Sequence, residues 1–286
     1  MLQILPWSHN SQLKKEGLAF LKQQEETCMF MLSNQQNFGT ELSEHLNSGN
    51  YYSLLEDQRV TACFVLARRG NLLFQGATKK HIVPILEFLE KNESIALKGV
   101  LGPEPMAFEI WQQLKLRAPK IQDGFVSCEI LYALEKSQFE QAPTDNTRLL
   151  QKQHFETWKR YVESYISELK LTDISTESER QNTFIEKVER KELWGTFEEE
   201  QLVSIATLNA RFQKLAQVGG VFTPIEKRGK GFSKDCMRQL LHDCFNNLGI
   251  EKMILFTSQT SLAAQSVYQS MGFKIIGNYG MYFAKG

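Results

Sequence analysis

The chain has 286 residues, of which 42% are hydrophobic, and its 33 lysines and arginines balance 33 aspartates and glutamates. At roughly 150 residues per domain this length fits two domains or one large one, enough to bury a core without disulfides or metal clips. The zero net charge lacks the basic excess of a protein that clamps long nucleic acid, and five scattered cysteines with no CxxC pair argue against a disulfide framework or a zinc knuckle.

The N-terminal MLQILPWSHNSQLKKEG is apolar for too few residues to be a secretory h-region. No later run nears the ~18 apolar residues of a membrane span. A cytoplasmic protein with no membrane partner is expected. Residues 51–78 read as strand, acidic turn at Glu56-Asp57, long strand, basic turn and strand. KKHIVPILEFLEK then reads as a helix, with Pro84 near its start and no glycine between strand and helix. Residues 95–103 form a further strand ahead of another helix. The polar stretch 134–148, carrying Pro143, predicts a boundary between domains at 1–139 and 148–286.

The second half echoes the first. After an amphipathic segment at 151–166 that contains His154, residues 193–223 repeat the meander, with an acidic turn at Glu198, Glu199 and Glu200. Residues 252–259 then occupy the place of 95–103. The repeat predicts duplicated domains of one topology, the alternative being chance likeness between two meanders.

LAQVGGVF, residues 215–222, is a strand ended by the Thr223-Pro224 turn, and Gly219-Gly220 within it predict a bulge or a close approach by a ligand. Downstream, Phe232, Cys236, Met237, Leu240, Leu241, Cys244, Phe245 and Leu248 share one helix face, with Gly249 as a stop. Cys236 and Cys244 on that face act as small hydrophobes. The intervening loop, TPIEKRGKGFS, joins a strand to a helix N-terminus, where unpaired N–H groups and the helix dipole receive anions. Gly229 and Gly231 let those groups converge, Arg228 and Lys230 add charge, and Ser233 offers a polar partner. A solvated basic turn is the other reading of the same residues.

The loop is neither GxxxxGK[ST] nor GxGxxG. It resembles the signature [Q/R]-x-x-G-x-[G/A] of the GNAT superfamily of acyl-CoA-dependent N-acyltransferases, here Arg228-Gly229-Lys230-Gly231-Phe232-Ser233, with serine at the last position. SLAAQSVYQSMGF is similar to the last helix of that superfamily, N-x-x-A-x-x-x-Y-x-x-x-G-F, through Ala264, Tyr268, Gly272 and Phe273. Ser261 replaces the asparagine.

The resemblance implies an α/β architecture of tandem GNAT-like domains, with mixed, mostly antiparallel sheets flanked by helices. It also implies a gap between two splayed strands that takes acetyl-CoA as co-substrate, with no metal. On this mapping Val221, Phe222 and Thr223 pair with pantetheine, and Arg228, Gly229, Lys230, Gly231, Phe232 and Ser233 cradle the pyrophosphate. Ser261 touches the CoA chain and Tyr268 protonates the leaving thiolate. The position where many members carry a basic glutamate is Gln217, leaving Glu198, Glu199, Glu200, Glu226 or a water relay. The first helices of the second domain, with His154 and Trp194, face the acceptor or simply pack.

The expected activity is transfer of acetyl to a primary amine of a small molecule or peptide by direct attack, with no nucleic-acid partner and room for a homodimer. The first domain, lacking the glycine loop, is expected to shape the acceptor pocket or the dimer. Gln217 and Ser261 keep open a non-catalytic acyl-CoA-binding or regulatory module, and a transferase with another acyl donor, aminoacyl-tRNA included, is the remaining alternative.

Overall fold

The computed structural model describes residues 2–169 and 175–285. The chain forms two compact units, Met1–Leu131 with Ile276–Gly286, and Tyr132–Ile275. The first unit opens with β1 (Leu2–Pro6), α1 (Ser11–Lys22) and α2 (Glu25–Phe38). A meander follows, of β2 (Gly49–Glu56), β3 (Arg59–Ala67) and β4 (Asn71–Gln75). Next come α3 (Lys79–Asn92), β5 (Gly99–Pro103), α4 (Met106–Arg117) and β6 (Asp123–Glu135), which runs on into the second unit.

The second unit repeats this order. It contains β7 (Thr147–Leu149), α5 (Phe155–Glu168) and α6 (Glu177–Glu189), then the meander β8 (Leu193–Glu198), β9 (Gln201–Phe212) and β10 (Leu215–Phe222). After it come α7 (Phe232–Asn246), β11 (Lys252–Ser258) and α8 (Leu262–Ser270), and the chain ends with β12 (Lys274–Ala284). The repeat extends to the hairpin turns. Asp57-Gln58 and Glu199-Glu200 each carry two successive positive φ values, 48° and 65° in one and 47° and 63° in the other. That is the mirror-image turn whose twist suits a two-residue hairpin.

Each unit has a mostly antiparallel sheet. In the first, β1 to β4 pair antiparallel in order, and β4 pairs parallel with β5 over Asn71–Leu73 and Gly99–Leu101. The last strand of the chain extends this sheet, since Tyr279–Phe283 of β12 run antiparallel to β5 and β6 neighbours β12 on its other side. Tyr279 and Tyr282 are buried there. In the second, β7 to β10 pair antiparallel in order and β10 pairs parallel with β11.

Helices cover the sheets as the apolar spacing predicts. In the first unit α3 and α4 lay Ile82, Ile85, Leu86, Ile110, Trp111 and Leu114 on Leu54, Phe64, Leu72 and Phe74. In the second, Trp158 of α5 and Phe184 of α6 pack on Leu193, Phe197, Ile205 and Phe222. The helix expected at 232–248 is α7, whose Cys236, Met237, Leu240, Leu241, Cys244 and Phe245 are buried. Two hydrogen bonds tie α7 to β8, from Trp194 Nε1 to Asp243 Oδ2 (2.8 Å) and from Thr196 Oγ1 to the Phe232 carbonyl (3.1 Å). Burial pushes the Cys236 thiol up to about 12 and Cys244 higher still, so neither supplies a thiolate near neutral pH.

Candidate active site

β10 and β11 are hydrogen-bonded only where they begin. Leu215–Val218 pair with Lys252–Leu255, after which both strands continue without a shared ladder. The cause lies in β10. Between Gly219 and Phe222 it advances one residue more than β9, a bulge that bends the strand and increases its twist. A Cβ at Gly219 would lie 1.8 Å from Asn209 Nδ2 and would push that exposed side chain aside, while Gly220 holds φ +55°, open to few side chains. The N–H and C=O groups of Gly219–Phe222 that point away from β9 therefore form a strand edge that β11 does not cover, and Gly219, Gly220 and Val221 are partly exposed. Phe222 is buried against the rings of Tyr161 (5.8 Å) and Tyr165 (6.3 Å). Thr223 Oγ1 hydrogen-bonds Ser204 Oγ at 2.9 Å.

Because β10 and β11 are parallel, whatever follows each of them emerges at the same end of the opened pair. The glycine loop and α7 follow β10; Ser261 and α8 follow β11. In open sheets this carboxyl end is where ligands bind. Gly229 and Gly231 have φ of +79° and +86°, and a Cβ at either would meet nothing within 4 Å. Their glycine identity serves backbone conformation and leaves space in front of the chain. Gly231 is the N-cap of α7, and as a glycine it has no side chain to accept from the first-turn amides. Those amides and the dipole behind them are a receptive anion site.

The basic residues of the loop are not simply offered to that space. Arg228 Nε donates to the Thr223 carbonyl (2.8 Å), and its Nη2 meets both oxygens of Glu168 at the end of α5 (2.9 and 2.7 Å). Glu198 binds Lys227 at 2.6 Å and Lys230 at 3.5 Å. The hydrogen bond from Lys227 holds the Glu198 carboxyl below its ordinary range, so Glu198 is a clamp on the loop and a poor base near neutrality. Glu200 is paired with Arg148 at 2.5 Å, and Glu199 and Glu226 are exposed. His154 accepts from the Gln151 N–H through Nδ1 (2.8 Å) and lies tilted against the Phe197 ring at 5.2 Å, with burial lowering its pKa. It caps a local turn.

Gln217, at the last paired stretch of β10, is 3% exposed. Its Nε2 donates to the Val218 carbonyl (3.3 Å), while its Oε1 is buried with no donor. A buried acceptor left without a donor is costly, which makes this oxygen an exception within the strand. On α8, Ser261 is the N-cap residue, and Gln265 Nε2 closes the turn ahead of it by donating to the Ser258 and Gln259 carbonyls (3.0 Å each). Tyr268 is buried, with its ring 6.2 Å from Tyr132 and 6.1 Å from Phe273. Gly272 then turns with φ +96°. Among the described residues no group of three or more His, Cys, Asp or Glu is placed to hold a metal.

The first unit shows what this junction becomes when closed. The sequence suggested no glycine between its strand and helix. β4 instead ends at Gln75, so Gly76 lies in the junction with φ +77°. It is a packed glycine: a Cβ there would come within 2.5 Å of the Thr61 carbonyl and 2.6 Å of the Phe20 ring. The start of α3 is capped internally. The Thr78 N–H donates to His81 Nδ1 (3.2 Å), and His81 Nε2 gives its hydrogen to Glu56 (2.8 Å). Phe74 fills the space over Gly102 of β5, where a Cβ would lie 2.3 Å from its ring.

Residues 146–273 match the Acetyltransferase (GNAT) family, and this segment of the chain is a GNAT acetyltransferase domain. No curated protein matches the sequence. Among solved structures, a GNAT-family acetyltransferase from Colwellia psychrerythraea is similar over 100% of both chains (16% identity, TM-score 0.54). A Drosophila protein is similar over 98% of each chain (12% identity, TM-score 0.68). A tandem GNAT protein from the clavulanic acid biosynthesis pathway covers 100% of this chain and 98% of its own (10% identity, TM-score 0.54). At these identities the likeness is one of fold, and it is a tandem fold.

Sequence reasoning missed Glu168 and read Glu198 as a candidate base rather than as a clamp on the loop. Each binds a partner far along the chain, and a lone acid in a helix or turn carries no mark of that.

Proposed function

We propose that the second domain transfers acetyl from acetyl-CoA to a primary amine of a small molecule or peptide. The observation that carries this reading is the parting of β10 and β11 at a bulge, with the open start of α7 at the same end. The edge at Val221–Thr223 pairs with the amides of the pantetheine arm. The amides of Gly229 to Ser233 hold the pyrophosphate, with Lys230 contributing longer-range charge and Arg228 keeping the loop in shape. Ser261 stands beside the arm at the start of α8.

Chemistry then needs a neutral amine nitrogen against the thioester carbonyl. The N–C bond forms as the C–S bond breaks. Tyr268 gives its hydroxyl proton to the departing sulfur and recovers a proton from solvent. The attacking nitrogen loses its proton to a water held by Gln217 Oε1, since the carboxamide itself is no base. Positioning supplies the larger share of the acceleration. The first domain, with its capped and packed junction, carries no acyl-CoA site of its own on this reading.

A binding module without turnover is the second reading, favoured by an amide at position 217. Release of free CoA thiol from acetyl-CoA with a panel of primary amines separates the two. Tyr268→Phe is expected to cut turnover by about 100-fold with little change in binding; full turnover in that variant would remove Tyr268 from the chemistry.

A further inference from the structure

A recess of about 50 Å³ lies against the bulge, between α5, α6 and the meander, walled by Trp158, Val162, Lys187, Leu193, Ile205 and Gly220. Of its polar lining residues Tyr165, Lys187 and Thr207, the first packs its ring on Phe222 (6.3 Å) and the other two are satisfied elsewhere. Lys187 Nζ donates to the Leu208 carbonyl at 2.5 Å, with Glu192 3.9 Å away. Thr207 Oγ1 is within hydrogen-bonding reach of the Glu192 and Leu208 carbonyls (3.0 and 3.2 Å). What the recess presents is therefore mostly hydrocarbon. Gly220 belongs to the uncovered edge of β10, so a group seated here adjoins the strand along which the donor is read to lie. A cavity of roughly 150 Å³ accommodates a benzene ring, and about a third of that volume suits two or three carbon atoms.

We propose that this recess selects an unbranched apolar group of two or three carbons attached to the reacting centre. The inference rests on the transferase reading above. The same chemistry has two sources: the acyl chain of the donor beyond acetyl, or the first carbons of the amine. Either way the recess sets a length limit, with Val162 as the adjustable wall, because it stands on the helix side of the recess and is only partly buried.

The full chain is assayed for thiol release in two arms. One arm varies the donor, as acetyl-, propionyl-, butyryl- and hexanoyl-CoA, with a fixed amine. The other varies the amine, as methyl-, ethyl-, propyl- and hexylamine, with acetyl-CoA. In the arm that supplies the group, kcat/KM holds through the shorter members and falls about tenfold or more at the six-carbon one. Val162→Ala moves that limit to longer chains, a gain that misfolding does not produce, and Val162→Phe moves it to shorter ones. A response in the donor arm assigns the recess to the acyl chain, and one in the amine arm assigns it to the acceptor. Normal acetyl transfer with no length limit in either arm, or a limit that ignores both variants, overturns this inference alone. Absence of acetyl-CoA binding by calorimetry overturns the transferase reading and this inference with it.

Discussion

Gln217 makes the clearest demand at the residue scale. Its oxygen is buried and empty, one residue before the strands part. Gln217→Glu would place a carboxyl in the same dry site, where desolvation raises its pKa. Turnover of the variant is expected to climb as pH rises through that raised value, a limb that the amide cannot show; a pH–rate profile identical to that of the parent would remove position 217 from the proton path. Stability follows with the opposite sign. A carboxyl whose folded pKa exceeds its unfolded value stabilises most below the unfolded pKa, and the variant loses stability as pH rises through the folded one. The residue type at 217 was legible in the sequence. That its oxygen would be left without a donor was not, since this depends on what lines the strand from other elements.

The glycine loop is where sequence and structure agree most closely at the scale of elements, and for a physical reason. Two glycines ahead of an amphipathic helix are a local pattern, so chain spacing alone locates the turn and the helix start. The charge arrangement is not local. Lys227 and Lys230 share Glu198, which lies on the preceding hairpin, and that acidic turn read as a source of candidate bases. Glu198→Gln leaves both lysines uncompensated beside the open amides. Affinity for CoA is expected to rise about two- to fivefold at low ionic strength and to depend more steeply on salt. Weaker binding at every salt concentration would mean that Glu198 chiefly holds the loop in place. The same limit explains Gly76. Apolar periodicity cannot show a φ angle, so the strand read through it, whereas the backbone turns there and Phe20 packs against it.

For the whole molecule, the repeated meander was legible because both halves carry the same period, turn chemistry and helix pattern. The destination of the last strand was not. Tyr279–Phe283 hydrogen-bond to β5 in the first unit, a pairing across most of the chain that no local pattern encodes. Removing residues 277–286 strips β5 of that partner and takes out Tyr279 and Tyr282, 2% and 6% exposed. The expected result is a first unit that loses amide protection in β5 ahead of the α7–β10 region, read by hydrogen exchange. Unchanged protection in β5 would contradict this view of the fold.

The functional expectations depend on one claim, that acyl-CoA is held at the start of α7 beside the opened strand pair. Calorimetric titration of the full chain with acetyl-CoA, alongside Gly231→Asp, tests it most directly. The open space before Gly231 admits the new side chain at about 1–2 kcal/mol of backbone strain, while its carboxylate would stand among the amides meant for phosphate. The account predicts saturable binding to the parent chain and a loss of about two orders of magnitude, ~2.7 kcal/mol, in the variant, with thermal unfolding still cooperative. No binding to the parent at high micromolar protein, or equal binding to both, would contradict it.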